Sequence, residues 1–246
     1  MAHYYENQHE YSYTKSKEEF QEDLKKKIKN TLKSNKRYEP VTISENSRTI
    51  CNSWWGQSWC KNLERYADYE NRIGRGKSYF RMGTVVDLKI YDNSSIYAKV
   101  QGARKWPYKV KIFIRKLSEA NRIKMEKLAA GKIQNLEALI SGNFPRELKD
   151  LFFQENGLFP TPREINFECD CPDWAHMCKH IAAALYAVGV LLDNNPLYFF
   201  QLRGIDVDDF LDNVVNGKVQ NMLKNANVKS PRIIKDADLL QMFGIQ

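Results

Sequence analysis

The sequence predicts an α+β fold, with a small antiparallel sheet and packed helices followed by a helical region. Three observations support this class. Three consecutive segments alternate apolar and polar residues and are separated by turn residues. The flanking segments repeat apolar residues at helical spacing. A Cys-x-Cys-x6-Cys-x-His pattern stands between a strand-like segment and an apolar helix. A chain of 246 residues is long enough for a buried core and favours two modules.

Composition shifts divide the chain into four parts. Residues 1–40 are a charged, partly disordered segment, in which apolar residues at helical spacing predict a helix from Ser16 to Leu32. Residues 41–116 form a basic α+β domain with an antiparallel meander. Residues 117–200 are helical and carry the cysteine pattern at about 165–192, and residues 201–246 are C-terminal helices and a tail.

Charge and hydropathy limit the classes of function. No apolar run is long and clean enough to span a bilayer, and the N-terminal segment lacks the apolar core of a secretory signal, so we expect a cytoplasmic protein without a membrane partner. The net charge is +8, and the excess between Lys61 and Lys132 alone is +11. This regional basic charge is compatible with a polyanionic partner.

A tryptophan-rich segment after residue 50 predicts the first helix of the basic domain. Its apolar stripe is Trp55, Trp59, Leu63 and Tyr66, and Ser53 is the expected N-cap. A stripe of this kind favours core packing over stacking on nucleobases. Cys51 and Cys60 lack metal spacing and are expected to be ordinary thiols.

The segment Gly74–Ser78 ends like a phosphate-binding P-loop. The first glycine of that motif is missing, since Asn71 occupies its place, and we predict a strand rather than a helix after the segment. Nucleotide hydrolysis is therefore not expected.

The three strands of the meander are predicted at Thr84–Tyr91, Ile96–Gln101 and Tyr108–Arg115, with their apolar face against the Trp54–Tyr66 helix. Lysines alternate with aromatic residues on the opposite face. Such a face could follow a phosphate backbone and stack bases, or it could serve only to keep the sheet soluble, and both interpretations stay open. The candidate nucleic-acid contacts on this face, in its turn and beside the cysteine pattern are Lys89, Tyr97, Lys99, Arg104, Lys105, Trp106, Lys109, Lys111, Arg115 and Lys179.

The cysteine pattern predicts a metal site. Cys169, Cys171, Cys178 and His180 supply three thiolates and one imidazole, a tetrahedral set that suits one zinc ion, and a site with four protein ligands is structural. Pro172 and Asp173 are expected to turn the chain between the first and second pairs of ligands, and the apolar segment that follows predicts a buried helix. His176 lies within the spacer and is expected at the surface.

The pattern resembles a known family. The ligand spacing, the Cys-Pro-Asp-Trp-Ala run and the Cys-Lys-His-Ile-Ala-Ala helix start resemble the SWIM-type zinc finger. The upstream Trp-Trp-Gly helix, the Arg-Gly-Lys-Ser-Tyr segment and the Val-Gln-Gly-x-Arg strand pair are similar to bacterial stand-alone proteins of that family. The resemblance covers about residues 50–200 and implies that the four residues are the zinc ligands. It also implies a binder of nucleic acid or protein that accompanies Swi/Snf-type helicase-like ATPases.

Several helices are predicted around the finger. Upstream of it they are 117–130, 133–140 and 145–154, and downstream 208–215, 219–223 and 237–243. The residues Leu148, Leu151, Phe152 and Phe159 are expected to pack on the finger helix, and the aromatic run at 196–200 is expected in the core.

Two functions remain from the sequence. The first is a non-enzymatic, zinc-binding accessory protein that binds nucleic acid, with DNA favoured over RNA, beside a helicase-like ATPase. The alternative is a protein-interaction adaptor whose finger docks such a partner without touching nucleic acid. No nucleophile, base and acid constellation emerges from the residues, so neither catalysis nor a small-molecule substrate is expected.

Overall fold

The computed structural model describes residues 16–44, 46–64, 70–129, 152 and 157–226. The chain divides into two compact units, one of residues 1–116 with 159–204 and one of residues 117–158 with 205–246. The predicted α+β class is confirmed, because a four-stranded antiparallel sheet packs with helices. In the described part of the chain, no helix combines the length and apolar character needed to cross a membrane.

In the order of the chain, the strands of the first unit follow one group of helices and precede another. The helices and strands are α1 (Lys17–Ser34), α2 (Trp54–Leu63), α3 (Glu70–Arg81), β1 (Val85–Tyr91), β2 (Ser95–Val100), β3 (Tyr108–Ile114), β4 (Ile165–Cys169), α5 (Lys179–Asn194) and α6 (Tyr198–Leu202). In the second unit the described helices are α4 (Glu119–Ala129) and α7 (Val207–Ala226).

The sheet has the order β1-β2-β3-β4, and all neighbours are antiparallel. The predicted three-stranded meander is therefore confirmed, and the strand before Cys169 adds a fourth member. In the pairing of β3 with β4, Val110 lies opposite Cys169. Because directly opposed residues share a face, this pairing carries the first ligand to the edge of the buried face of the sheet.

Helix α5 forms the centre of the first unit. Every residue from His180 to Gly189 is buried, and the helix packs on all four strands as well as on α2 and α3. A helix that is apolar on all sides requires such a central position. The expectation that the Trp54–Tyr66 helix covers the sheet is wrong, since α2 packs on α5 instead. The Trp55 and Trp59 indoles each donate a 2.9 Å hydrogen bond to α5 carbonyls.

Helix α3 contains the Gly-Lys-Ser segment and continues to Arg81, where the sequence predicts a strand after the segment. Its buried residues Ile73, Gly76, Tyr79 and Phe80 recur at helical spacing and face α5. A Cβ on Gly76 would overlap the Cβ of Ala182, so the glycine permits the close approach of the two helices. The segment lies inside a helix rather than before one, and this position does not match a P-loop.

Helix α1 belongs to the folded unit. Ser16 and Glu19 form a capping box, so the helix begins where the sequence predicts, and it ends two residues later than predicted. Leu24 is buried, and the Thr31 hydroxyl lies 2.8 Å from the side-chain oxygen of Gln101 after β2. The helix predicted from Ser16 to Leu32 is therefore confirmed, and residues 1–15 lie outside the described part.

The second unit contains helices α4 and α7, which pack on each other. Helix α7 runs unbroken through Gly217, where two short helices had been expected. Asn213 donates to the carboxylate of Glu126, which also accepts a 2.7 Å bond from Arg122. The helices predicted at 133–140, 145–154 and 237–243 lie outside the described residues apart from Phe152, as do Leu148 and Leu151. Phe152 is buried.

Candidate metal centre

The four predicted ligands come together where the sheet meets α5. Cys169 ends β4, the chain then bends through Cys171 and Pro172, and Cys178 is the N-cap residue of α5. His180 follows in the first turn of that helix. The predicted strand, turn and helix around the cluster are therefore confirmed.

The donor atoms have the separations that one metal ion requires. The three sulfurs and the His180 nitrogen all lie within 4.8 Å of one another. The Nδ1 atom of His180 is 3.9 Å from the Cys178 sulfur and 4.0 Å from the Cys169 sulfur. Tetrahedral zinc, with bonds of about 2.3 Å to sulfur and 2.0 Å to nitrogen, places such atoms about 3.6 Å apart. The two separations from His180 exceed this value by a few tenths of an ångström and the widest separation by about 1 Å, so small side-chain shifts would close the shell and the residues fit one metal ion.

Backbone amides support each of the three sulfurs. The N–H groups of Cys171, Asp173 and Ile181 donate to Cys169, Cys171 and Cys178 respectively. Amide donors stabilise the deprotonated form of a thiol, and the thiolate is the form that binds metal. The folded loop is therefore prepared to hold negative sulfur.

The pKa values of the three thiols shift in different directions. The pKa of Cys178 is lowered to about 4, chiefly because the Cys169 thiol donates to it, with further support from His180 and the Ile181 amide. The pKa of Cys169 is raised, because that thiol keeps its proton in the bond to Cys178 and is partly buried. Burial raises the pKa of Cys171. The cluster thus carries a first thiolate on Cys178, at the positive end of α5.

The His180 ring is fixed by aromatic neighbours. It stacks on Tyr108 with centroids 4.1 Å apart and planes 22° apart, and Tyr79 meets it edge-on at 5.7 Å. Its Nε2 atom is buried without a hydrogen-bond partner among the described residues, and a Cβ on Gly102 would lie 3.0 Å from that atom. Since Nδ1 is the nitrogen that faces the sulfurs, the ring orientation assigns Nδ1 as the atom that would coordinate a metal ion.

Two ion pairs anchor the ligand loop. Asp170 accepts a 2.7 Å bond from Arg104 and a 2.8 Å bond from the Lys109 amide. Asp173 pairs with Arg72 of α3 at 2.9 Å. Burial alone would raise the pKa of Asp170, but these donors lower it, so the carboxylate remains charged. The loop is therefore attached to β3 and to α3.

The remaining histidine and cysteine predictions are also met. His176 is exposed and packs on the Phe167 ring, with centroids 5.3 Å apart. Cys51 is buried and Cys60 partly buried, and their sulfurs, 3.6 Å apart, do not belong to the cluster.

Five of the ten candidate nucleic-acid residues lie together in a groove of about 430 Å³ on the outer face of the sheet. The groove contains Lys89, Tyr97, Lys99, Lys109 and Lys111. Arg37, Tyr38, Asp87 and Tyr91 complete its polar and aromatic lining. Five basic residues and one carboxylate line the groove, and Glu39 and Glu168 lie beside it, paired with Lys89 and Lys111.

The other five candidates lie elsewhere. Arg104 is engaged with Asp170 and packs 4.0 Å from the centre of the Tyr108 ring. Lys105 lies over Trp106 in an exposed turn, and Trp106 is 65% exposed. Arg115 is exposed at the end of β3, and the ammonium of Lys179 lies 5.4 Å from the centre of the Tyr79 ring.

Sequence reasoning missed three residues at these surfaces. Arg37 and Tyr38 join the groove from a segment that was expected to be partly disordered. Trp174, in the ligand loop, is 79% exposed. Its place between a prolyl-aspartyl turn and the third cysteine was a signal for exposure, because a short loop between ligands has little interior to bury an indole.

Comparisons with known proteins give one relative of undescribed function. The chain is 34% identical over 167 residues to the uncharacterized protein Rv2102 of Mycobacterium tuberculosis (strain ATCC 25618 / H37Rv), an alignment that covers 67% of this chain and 60% of the relative. The chain thus spans less than two thirds of that relative's length. No family model matches the sequence. No solved structure matches it either. Because the function of this relative is undescribed, the chemistry of the site in this chain is inferred from the four residues of the cluster.

Proposed function

We propose that this protein is a zinc-binding, non-enzymatic accessory protein that binds nucleic acid through the outer face of its sheet. The observation that carries this proposal is the groove, in which Arg37 and four lysines surround tyrosines with a single carboxylate. Basic residues interleaved with aromatic rings suit a ligand that offers both phosphates and bases.

Zinc has a structural part in this proposal. Three thiolates and one imidazole favour zinc among the divalent ions of proteins, and four protein ligands leave no open position for a substrate. The ion would join the end of β4 to the start of α5, the helix that covers the sheet. The SWIM-type resemblance of the ligand spacing supports the same assignment. A reducing cytoplasm is the compartment in which such thiolates persist.

The charges of the groove are accessible to phosphate. Lys111 pairs with Glu168 at 3.4 Å, Lys89 with Glu39 at 3.9 Å and Lys99 with Asp87 at 4.0 Å. The pairs of Lys111 and Lys89 are long and exposed and contribute little to stability, so a phosphate can replace the carboxylate there at small cost, whereas Asp87 is only 14% exposed. Lys89 and Lys111 are therefore held near the groove without strong internal contacts, whereas Lys99 also donates a 2.9 Å hydrogen bond to the Tyr38 hydroxyl.

A helicase-like ATPase of the Swi/Snf type is the proposed companion. This part of the proposal rests on the resemblance to stand-alone SWIM proteins, and it favours DNA over RNA as the nucleic acid.

The adaptor function is the second candidate, and one observation favours it. Trp174 is 79% exposed and Trp106 is 65% exposed, although tryptophan is usually largely buried in proteins. Exposed tryptophans are typical anchors of protein interfaces. In the adaptor function these indoles would dock a protein partner, and the basic groove would only raise solubility.

Fluorescence anisotropy across a salt series distinguishes the two functions. The zinc-loaded protein is titrated into labelled single- and double-stranded DNA and RNA of equal length. Double substitution of Lys109 and Lys111 by Gln should weaken binding and lower the logarithmic salt slope by roughly 1.4 on a single strand, because each lost phosphate contact removes about 0.7. Lys99 is left intact because its ammonium donates to the Tyr38 hydroxyl at 2.9 Å.

The matched control removes the same number of positive charges from a surface away from the groove. Lys124 and Lys127 are exposed on α4 in the second unit. Their double substitution by Gln should leave the slope unchanged. If both doubles weaken binding equally, the groove is not the contact surface. If the wild-type protein binds no nucleic acid at low salt, the adaptor function replaces this proposal.

A further inference from the structure

We infer that the groove takes an unpaired nucleic-acid strand, with one base stacked on Tyr97. This inference rests on the proposed function and names its substrate class. It places the base on a ring at the middle of the sheet and the neighbouring phosphates on the lysines around it.

Tyr97 is oriented by other rings and yet remains open. Tyr91 meets it at 5.3 Å with planes 82° apart, and Phe113 meets it at 6.5 Å with planes 80° apart. Edge-to-face packing on two sides fixes the ring, while 40% of the residue stays exposed. An aromatic platform that is already fixed loses little conformational entropy when a base stacks on it.

The cations are spaced around this platform by the register of the strands. Tyr97 lies between Lys89 of β1 and Lys111 of β3 in the pairing, and the ammonium of Lys111 is 6.0 Å from the centre of the Tyr97 ring. Lys99 and Lys109 form the next pair along the same face. A base on Tyr97 would therefore lie between the positive charges of Lys89 and Lys111. The Lys99–Lys109 pair would supply further positive charge two residues along the strands.

The shape of the groove favours a strand without a partner. About 430 Å³ is the size of a pocket for a small aromatic ligand. A base within a duplex is stacked and paired, and its removal costs a few kcal/mol. The bases of a single strand offer their faces without that cost. A duplex could use the lysines, whereas an unpaired strand could use the lysines and Tyr97 together.

The experiment compares normal and abasic strands against Tyr97 variants of the full chain. The probes are a labelled 12-nucleotide single-stranded DNA, the same strand with abasic positions at its centre, and the matching duplex. The abasic strand keeps every phosphate and loses only the stacking faces. Tyr97→Leu removes the ring, and Tyr97→Phe keeps it and controls for folding.

Wild type and Tyr97→Phe should prefer the normal strand to the abasic strand by about 5- to 150-fold, the range of one stacked base. Tyr97→Leu should bind both strands equally, with the duplex affinity and the salt slope unchanged. Equal binding of normal and abasic strands by the wild type would overturn the inference. So would a preference that persists in Tyr97→Leu, because the bases would then stack elsewhere. Absence of all nucleic-acid binding would instead overturn the proposed function.

Discussion

The imidazole of His180 lies flat against the phenol ring of Tyr108, with centroids 4.1 Å apart and an angle of 22° between the planes. Tyr108 is the first residue of β3, and Arg104 packs on the same phenol ring at 4.0 Å. His180 belongs to the first turn of α5. The sheet therefore orients the nitrogen ligand of the cluster through a ring contact.

Replacing Tyr108 by Leu should lower zinc affinity about 10- to 100-fold, the usual loss when the residue that orients a ligand is removed. Competition with a chromophoric chelator measures the affinity. Tyr91→Leu is the control, because it removes the same ring from the exposed face of the sheet. Equal affinity in wild type and Tyr108→Leu would show that the metal alone orients the imidazole.

Sequence patterns predicted the structure correctly where it is determined by residues that are close together along the chain. Alternation predicted three strands within one or two residues, and the spacing of the ligands predicted their meeting. The partner of the tryptophan helix could not be predicted in this way. The sheet and α2 both present apolar faces, and only the entry of α5 between them decides that Trp55 and Trp59 bond to its carbonyls. That arrangement depends on contacts more than 100 residues apart in sequence.

The strand predicted directly after the Gly-rich segment is wrong for a related reason, since α3 runs through the segment as far as Arg81. Two glycines in five residues lower helix propensity, so the local pattern opposed a helix. The packing of α3 on α5 requires one of these glycines and stabilises the helix from outside. The low helix propensity of Gly76 can be read from the sequence. The contact with Ala182, which requires a glycine at this position, cannot.

Gly76→Ala should therefore destabilise the protein, and Gly74→Ala should not. The new methyl at residue 76 would overlap Ala182 and lie 3.1 Å from its carbonyl carbon, whereas nothing lies within 4 Å of a methyl at residue 74. Overpacking costs about 1–3 kcal/mol, and alanine at an open helical site contributes up to about 1 kcal/mol. Urea unfolding measures both. A stabilised Gly76→Ala variant would mean that α3 and α5 separate without loss.

The buried pair of Glu164 and Arg203 predicts a pH effect. Their side chains meet at 2.6 Å with exposures of 7% and 0%. Burial alone would raise the pKa of Glu164, but the bonds from Arg203 and Thr161 lower it below its usual value. A lowered pKa means that this carboxylate stabilises the fold above its unfolded pKa of about 4.3, and that the stabilisation is lost as the pH falls below that value.

Glu164→Gln should cost about 3–5 kcal/mol at pH 7, because the Arg203 charge stays buried without its partner, while the amide oxygen can still accept from Thr161. The difference in unfolding free energy between wild type and variant should shrink as the pH falls from 5 to 3. Urea titrations at both pH values measure it. A difference that stays constant would mean that the pKa of Glu164 is the same in the folded and unfolded chain, so that Arg203 does not lower it.

Removal of a metal ion bound by the cluster should destabilise the sheet as well as the loop that carries the cysteines. Cys178 and His180 begin α5, and residues of that helix cover the inner face of all four strands. Without an ion, the start of α5 loses its attachment to β4, and three sulfurs remain crowded within 4.8 Å of the imidazole. Because metal binding contributes folding free energy, chelation should lower the unfolding temperature of the unit that contains the sheet.

Cys178→Ala should abolish metal binding and reproduce the effect of chelation in the presence of zinc. Cys60→Ala removes a thiol that lies outside the cluster, so it should retain one zinc ion per chain. Elemental analysis measures the metal, and circular dichroism measures unfolding. Unchanged metal content in Cys178→Ala would refute the ligand assignment. Metal loss with an unchanged unfolding temperature would mean that apolar packing of α5 alone holds the sheet, and zinc would then serve only to shape the loop that carries Trp174.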